Sequence, residues 1–333
     1  MKTFIAIEND ETRATFLTDE NMALLRSFGG VREISGELSV RNAAAQIGDS
    51  DVYMTCWGSP RLEKSVLDSA PNLKLLVHLC GTVAPFVSKE MYEKGIKVIS
   101  GNAFFARSTA EGALAYILAA QRSIPFYSTE LKENRRWKTE NAPNMSLIGK
   151  TVGLVSFGAV AKNLAAMLQP FGVTLLVYDI VPIPAELKKK FNITQVSLGE
   201  LLSTADIISV HTPLNAATHK LIGAALFKKI KPNALFVNTS RGGIIDQNAL
   251  INALESGRFR AILDVYEQEP PAPDCGLYSA PNLIMMPHMG GPTLDLRSRI
   301  AETLIKEAHG FIDCSEMLDN EITQENAFTM SER

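Results

Sequence analysis

Thr151-Val-Gly-Leu-Val-Ser-Phe-Gly-Ala-Val-Ala161 is the stretch whose reading decides the fold. Five apolar or small residues lead into a turn of small residues, and Ala161, Leu164, Ala165 and Leu168 then recur at helical spacing. The pattern is strand, tight turn, helix. A second apolar run, Thr174-Leu-Leu-Val-Tyr178, ends on Asp179. That lies close to the ~20 residues expected between a phosphate-binding turn of this kind and its ribose-binding acid.

Each position in the turn has a physical task. Backbone N–H groups must come up to a pyrophosphate, a side chain at the closest point would block the approach, and a helix N-terminus favours the negative charge. Gly158 fills the closest position of the G-x-G-x-x-G pattern, Ser156 replaces its first glycine, and Ala161 its third. Alanine serves in the third place, where only helix–strand packing is at stake. Serine in the first is a departure. Asp179 is placed to accept hydrogen bonds from both adenosine-ribose hydroxyls and to repel a 2′-phosphate. Ile180-Val181-Pro182 offers no arginine for such a phosphate, so NAD is expected over NADP. Taken alone, the motif also fits an ordinary strand–turn–helix followed by a surface aspartate.

The bulk numbers bound the answer. The 333 residues suggest about two domains, and a hydrophobic share of 46% is ample for two cores. A formal net charge of −3 argues against nucleic acid or a membrane surface as partner. No apolar run approaches the ~20 residues that span a bilayer. Met1-Lys-Thr-Phe-Ile-Ala-Ile-Glu8 reads as a first strand rather than a signal peptide. Cys56, Cys80, Cys275 and Cys314 are scattered without a C-x-x-C pair, and His78 near Cys80 does not make a metal site. Reduced thiols in a cytoplasm fit best.

In chain order, residues 3–8, 51–55, 73–79 and 97–100 read as strands. Between them lie a helix capped by Thr18 and ended by Gly29-Gly30, another from Arg61 to Ser69, and a short one from Ser88 to Gly95. This is a small parallel-sheet domain. Ser108-Thr-Ala-Glu111 has the pattern of a capping box opening a long, buried helix, and Leu131 to Asn144 reads as a solvated loop in which Trp137 is a candidate subunit contact. From Thr151 the alternation resumes, with strands ending near His211, Asn238, Asp264 and Met286. Counting these gives a doubly wound sheet of about six or seven strands. Lys188-Lys-Lys190 is a solvated helix end, a helix runs from about Leu294 to Phe311, and residues 319–333 form a polar, mobile tail.

Three further stretches are hard to explain as packing: Asn238-Thr-Ser-Arg-Gly-Gly-Ile-Ile-Asp246, Asp264-Val-Tyr-Glu-Gln-Glu-Pro-Pro271 and Met286-Pro-His-Met-Gly-Gly-Pro-Thr293. All lie at carboxyl ends of parallel strands, where open α/β sheets build their ligand crevice. Together with the turn at Gly158, Asp179 and His211-Thr-Pro-Leu214, they resemble the D-isomer-specific 2-hydroxyacid dehydrogenases, in the family's order and from about Val52 to Ala308.

The resemblance implies two doubly wound parallel-sheet α/β domains. Residues 106–292 would form a Rossmann-type NAD domain, while 1–105 and 293–333 would form a smaller, discontinuous, flavodoxin-like substrate domain. It implies NAD as cofactor, a small 2-hydroxy or 2-oxo acid as substrate, a homodimer through the NAD domain, and no metal. Catalysis would fall to His288 as acid/base, Glu269 as the partner of its other ring nitrogen, and Arg241 as carboxylate clamp. Imidazole changes charge between about pH 5 and 8, which suits both directions of proton transfer. Cofactor contacts would come from Ser156, Gly158, Ala159, Val160, Asp179, His211, Pro213, Thr239, Arg241, Asp264, His288 and Gly290. Substrate contacts would come from Gly81, Thr82, Val83, Arg241 and His288, in a cleft between the domains, with Gly290-Gly291 at a hinge crossing.

The chain departs from the family at three places besides Ser156. Ala159 stands where many relatives carry an arginine beside the pyrophosphate. Phe105 stands where relatives often have asparagine, Phe104 precedes it, and the two read as hinge packing more than as a pocket wall. Cys80, beside the carboxylate loop, reads as a small buried filler. A nucleotide-sensing binding protein or corepressor on the same fold is the alternative function. A formate dehydrogenase is disfavoured because glutamine would stand at Glu269.

Overall fold

A computed structural model of the chain describes residues 1–8, 10–137 and 143–331. Contacts divide the chain into two compact units. One comprises Met1–Phe105 and the chain from Pro292 onward, the other Ala106–Gly291.

The first unit holds five parallel strands: β1 (Lys2–Ile5), β2 (Gly30–Glu33), β3 (Val52–Thr55), β4 (Leu75–His78) and β5 (Lys97–Ser100), in the order β2-β1-β3-β4-β5. That is the flavodoxin-like order. Side chains alternate between two cores, as a strand period of two requires. Phe4, Tyr53, Leu76 and Val98 enter one, while Ile5, Met54, Val77 and Ile99 enter the other. Thr18 caps the helix Asp19–Ser27 by accepting from the Asn21 N–H, and Ser88 caps Lys89–Glu93 in the same way. The helix Leu294–Cys314 lays Ile300, Ala301, Leu304, Ile305 and Ala308 on this sheet, one stripe at helical spacing.

The chain's end is not the solvated tail expected. Glu321 bridges to Ile99, Ile322 and Ala327 are buried, and a short helix, Gln324–Ala327, is capped by Thr323. Two apolar side chains spaced to reach one core outweigh the polar composition around them.

The second unit holds seven parallel strands: β6 (Thr151–Val155), β7 (Thr174–Tyr178), β8 (Ile193–Gln195), β9 (Ile207–Val210), β10 (Leu235–Asn238), β11 (Arg260–Leu263) and β12 (Leu283–Met285). Their order, β12-β11-β10-β9-β6-β7-β8, is the doubly wound Rossmann arrangement with one further strand at the edge. The chain winds outward from β6 in one direction, returns, and winds outward from β9 in the other. The carboxyl ends of β6 and β9 therefore flank the point where such sheets open a crevice. Both faces are covered: Leu154, Val177, Val237 and Ile262 point to one core, Val155, Leu176, Phe236 and Leu263 to the other.

The long helix begins at Asn102, so Ser108 lies within it and opens nothing. Its hydroxyl donates to the Gly291 carbonyl at 3.2 Å instead. Before the expected loop, the chain adds a helix, Ile124–Lys132. Trp137 is exposed, and residues 138–142 of that loop lie outside the described residues.

The turn after β6 explains its unusual serine. Ser156 has φ +72°, a left-handed conformation that glycine adopts freely and that costs an L-residue roughly 1–2 kcal/mol. Its N–H donates to the Tyr178 carbonyl at 2.7 Å, and its hydroxyl pairs with that of Thr212 at 2.9 Å, which offsets part of the cost. Both Ser156→Gly and Ser156→Ala lose the hydroxyl, but only alanine keeps a Cβ in the left-handed region. The glycine variant should therefore be the more stable of the two by roughly 0.5–1 kcal/mol in urea unfolding, after allowing for glycine's larger unfolded entropy. An alanine variant as stable as the glycine variant would show that the turn does not hold that strain.

Candidate active site

Six loops at the carboxyl ends of β6, β7, β9, β10, β11 and β12 carry the candidate residues of the second unit. Gly158 is the N-cap of the helix Ala159–Leu168, in extended conformation, and no side chain caps that helix. A Cβ built on Gly158 meets nothing within 4 Å, so the space over the first helical turn is open. Free N–H groups and the positive end of the helix dipole face that space, which fits a phosphate group. Ala159 is exposed and Val160 half-buried in the same turn. Asp179 ties the turn to the end of β7, its Oδ2 accepting from the Phe157 N–H at 2.7 Å and its Oδ1 from the Val181 N–H at 2.9 Å. Ile180 and Val181 beside it are exposed.

Two buried polar atoms here lack a partner among the described residues: His211 Nε2, past β9, and Thr239 Oγ1, past β10. Burial pushes the His211 pKa down to about 4, so its ring is neutral near pH 7. Unsatisfied buried groups are costly and uncommon, and two at neighbouring strand ends fit a ligand that completes them. Pro213 follows in the His211 loop, its carbonyl accepting from the Thr218 hydroxyl at 2.6 Å.

The loop after β10 is wired by Asn238, which is fully buried. Its Oδ1 accepts from the Ser240 N–H at 3.0 Å and the Ser240 hydroxyl at 2.8 Å, and its Nδ2 donates to the Arg241 carbonyl at 3.0 Å. Arg241 is thereby fixed in extended conformation at the crevice, half-buried, with Nη1 donating to the Ser240 carbonyl at 2.8 Å. Burial holds its pKa below the usual guanidinium value, and the charge of Glu269 opposes that shift. Gly242 must be glycine: a Cβ there would overlap the Tyr266 carbonyl group. That close approach packs the arginine's loop against the loop after β11.

Glu269 is held at both oxygens. Oε1 accepts from the Tyr266 N–H at 3.0 Å, and Oε2 lies 2.6 Å from His288 Nδ1. With Nδ1–H directed to the carboxylate, Nε2 is the ring nitrogen left for proton exchange. His288 itself sits at φ +53° with its side chain about half exposed. Asp264, 1% exposed, holds it there. The carboxylate accepts from the Met289 N–H at 2.7 Å, the Gly290 N–H at 2.8 Å and the Tyr116 hydroxyl at 3.0 Å. Gly290 lies so close that an added Cβ would come within 2.8 Å of the Asp264 oxygen.

Gly81, Thr82 and Val83 lie past β4 in the first unit. The Gly81 carbonyl accepts from the Ser100 hydroxyl at 3.3 Å, and the Thr82 hydroxyl donates to the Ser331 carbonyl at 2.8 Å. The Val83 N–H, at 3.5 Å, points to the Met330 sulfur. Phe105 packs edge-on to Trp57 with ring centroids 5.9 Å apart. Among the described residues, no three His, Cys, Asp or Glu side chains gather as a metal site.

Sequence reading missed Tyr116, Tyr266 and the contacts of Met330. Tyr116, remote in sequence from Asp264, gave no local signal.

Residues 114–290 match the family model described as the NAD binding domain of D-isomer specific 2-hydroxyacid dehydrogenase. The glyoxylate reductase of Korarchaeum cryptofilum is 31% identical over 271 residues, 80% of this chain and 81% of the relative. The D-3-phosphoglycerate dehydrogenase of Methanocaldococcus jannaschii is 31% identical over 312 residues, 93% of this chain, which spans only 58% of that relative's length. The apo D-mandelate dehydrogenase of Rhodotorula graminis superposes with a TM-score of 0.81 at 24% identity, covering 97% of this chain and 98% of that one, a likeness of fold. The chain belongs to the D-isomer-specific 2-hydroxyacid dehydrogenase family.

Proposed function

We propose that the protein interconverts a D-2-hydroxy acid and its 2-oxo acid with NAD as cofactor. The observation that carries this is the 2.6 Å bond from Glu269 to His288 Nδ1, on the crevice that also holds Arg241 and the open turn at Gly158. A carboxylate on Nδ1 fixes the tautomer and stabilises the imidazolium, which is what an acid/base histidine needs. His288 Nε2 takes the hydroxyl proton in oxidation and returns it in reduction. Arg241 binds the substrate carboxylate through its planar fork and polarises the 2-oxo group. The loop Gly81–Val83 contributes to substrate binding.

Bound NAD(H) supplies the hydride chemistry. Ser156 to Val160 would hold its pyrophosphate and Asp179 its adenosine ribose. His211, Pro213, Thr239 and Gly290 would line the rest, and the partnerless His211 Nε2 and Thr239 Oγ1 support that assignment. Asp264 already receives three donors and positions His288; a contact to the cofactor uses a lone pair those donors leave. A homodimer through the second unit is part of the proposal, supported by the exposure of Trp137 and Ile148. Four unpaired cysteines support a reducing, cytoplasmic setting.

A panel of 2-oxo acids of graded side chain, assayed with NADH and NADPH by absorbance of the reduced nicotinamide, tests the reaction and the cofactor together. NADH should be preferred, and Asp179→Ala should narrow the gap. A wild-type preference for NADPH contradicts the ribose assignment, and inertness toward the whole panel contradicts the reaction.

Charge and geometry separate at Arg241. Arg241→Lys should keep partial activity with a raised KM, because lysine offers a point charge without the fork. Arg241→Ala should lose roughly 2–5 kcal/mol of substrate and transition-state binding, at least about thirtyfold in kcat/KM, with NADH affinity unchanged. A normal KM with a lowered melting temperature in both variants would make Arg241 a structural ion-pair residue.

A further inference from the structure

Two cysteines remote in sequence meet at the carboxyl edge of the first sheet. Cys56 directly follows β3 and Cys80 lies two residues past β4. Thr55 and His78 are in register, and the Leu79 N–H bonds the Thr55 carbonyl at 2.9 Å, so the two chains leave the sheet tied together. The Sγ atoms stand 3.2 Å apart, both thiols free and both buried, at 2% and 0% exposure. Beyond Cys56 is the turn Trp57–Ser59, closed by the Cys56 N–H donating to the Ser59 hydroxyl at 2.9 Å. Beyond Cys80 is the loop Gly81–Val83.

We propose that Cys56 and Cys80 are a reversible oxidation site, a dithiol that hydrogen peroxide converts to a disulfide, drawing the loop Gly81–Val83 toward the turn Trp57–Ser59. The two sulfurs are unequal, as an attacking and a resolving thiol must be. The Cys80 S–H hydrogen bond holds the Cys56 thiol below its ordinary pKa, and burial pushes that of Cys80 well up. In the first step the Cys56 thiolate attacks one peroxide oxygen, the O–O bond breaks, and hydroxide leaves as water after taking a proton. In the second, the Cys80 sulfur attacks the sulfenic sulfur, the S–S bond forms, the S–O bond breaks, and the oxygen leaves with the Cys80 proton as a second water. Two thiols lose two electrons and peroxide gains them. At 2% and 0% exposure the sulfurs are out of reach of a reagent as bulky as glutathione disulfide, so the oxidant proposed is the small one. Closing the sulfurs from 3.2 Å to the disulfide length of ~2.05 Å brings them about 1 Å closer. Gly81, next to Cys80, lies beside the Phe105 ring, which packs on Trp57, next to Cys56, so Trp57 reports on the closure. The consequence for catalysis rests on the substrate role proposed for this loop.

The test uses the full chain with Cys275→Ser and Cys314→Ser, so that the pair holds the only thiols, and Trp137→Phe, so that Trp57 is the only tryptophan. After peroxide and then catalase, the chain is alkylated in denaturant and weighed. Both thiols should be protected, with the mass lower by two hydrogens and restored by dithiothreitol. Methionine sulfoxide adds oxygen and is not reversed by that reagent. Trp57 emission should shift reversibly in step, the KM for a 2-oxo acid should rise several-fold, and glutathione disulfide should react at least tenfold more slowly. Adding Cys80→Ser should halt the reaction at a sulfenic acid on Cys56, which dimedone captures once the chain is unfolded in denaturant. Full alkylation after peroxide of a chain whose circular dichroism is native, or a disulfide that forms only in urea, overturns the proposal, and so does a disulfide that leaves Trp57 emission unchanged. If the disulfide and the emission shift both appear in a chain that reduces no 2-oxo acid in either state, the oxidation site stands and the proposed reaction fails.

Discussion

A single buried carboxylate organises the candidate site at the carboxyl ends of the second unit's strands. Asp264 leaves β11 into the interior and meets two consecutive backbone N–H groups, of Met289 and Gly290, and the hydroxyl of Tyr116. A carboxylate with 1% exposure is stable only when its lone pairs are met, and donors to a charged acceptor are the strong ones. Those donors fix the loop after β12, and that loop presents His288. Without them the 2.6 Å approach of His288 to Glu269 has no backbone to hold it.

Backbone strain sits at the candidate site. Ser156 in the turn over the open helix terminus and His288 on the loop after β12 are both non-glycine residues in the left-handed region. Such positions cost of order 1–3 kcal/mol each and persist when their surroundings over-determine them. The Thr212 hydroxyl and the Tyr178 carbonyl do this for Ser156, the Asp264 carboxylate for the loop of His288. Thr239 Oγ1 and His211 Nε2, buried without a partner among the described residues, lie at the same end of the sheet.

Strands buried on both faces were legible because they read as continuous apolar runs, and Thr18 and Ser88 announced helices that they do cap. Weaker signals failed for physical reasons. β2 is largely exposed and β8 spans only Ile193–Gln195, so neither has an apolar run to show. Ser108-Thr-Ala-Glu111 has the residues of a capping box, but helix-forming residues upstream carry the helix back to Asn102. At the chain's end, Ile322 and Ala327 find a core that composition cannot reveal. In the site, Arg241, Glu269 and His288 stood out as polar side chains beside glycine and proline. The partners that aim them, Asn238, Tyr266 and Tyr116, depend on tertiary contact. The same holds for Cys56 and Cys80, which are 24 residues apart and meet only because β3 and β4 are neighbours.

In the proposed reaction the Asp264 carboxylate positions His288 for proton transfer. The most direct measurement is kcat for NADH-dependent 2-oxo acid reduction by Asp264→Asn, under conditions where circular dichroism shows it folded. Asparagine keeps the shape but removes the charge and turns a donor toward a donor. The account predicts a fall in kcat on the order of 10²-fold or more, the usual worth of a placed acid/base group. A folded Asp264→Asn protein turning over at the wild-type rate would contradict it.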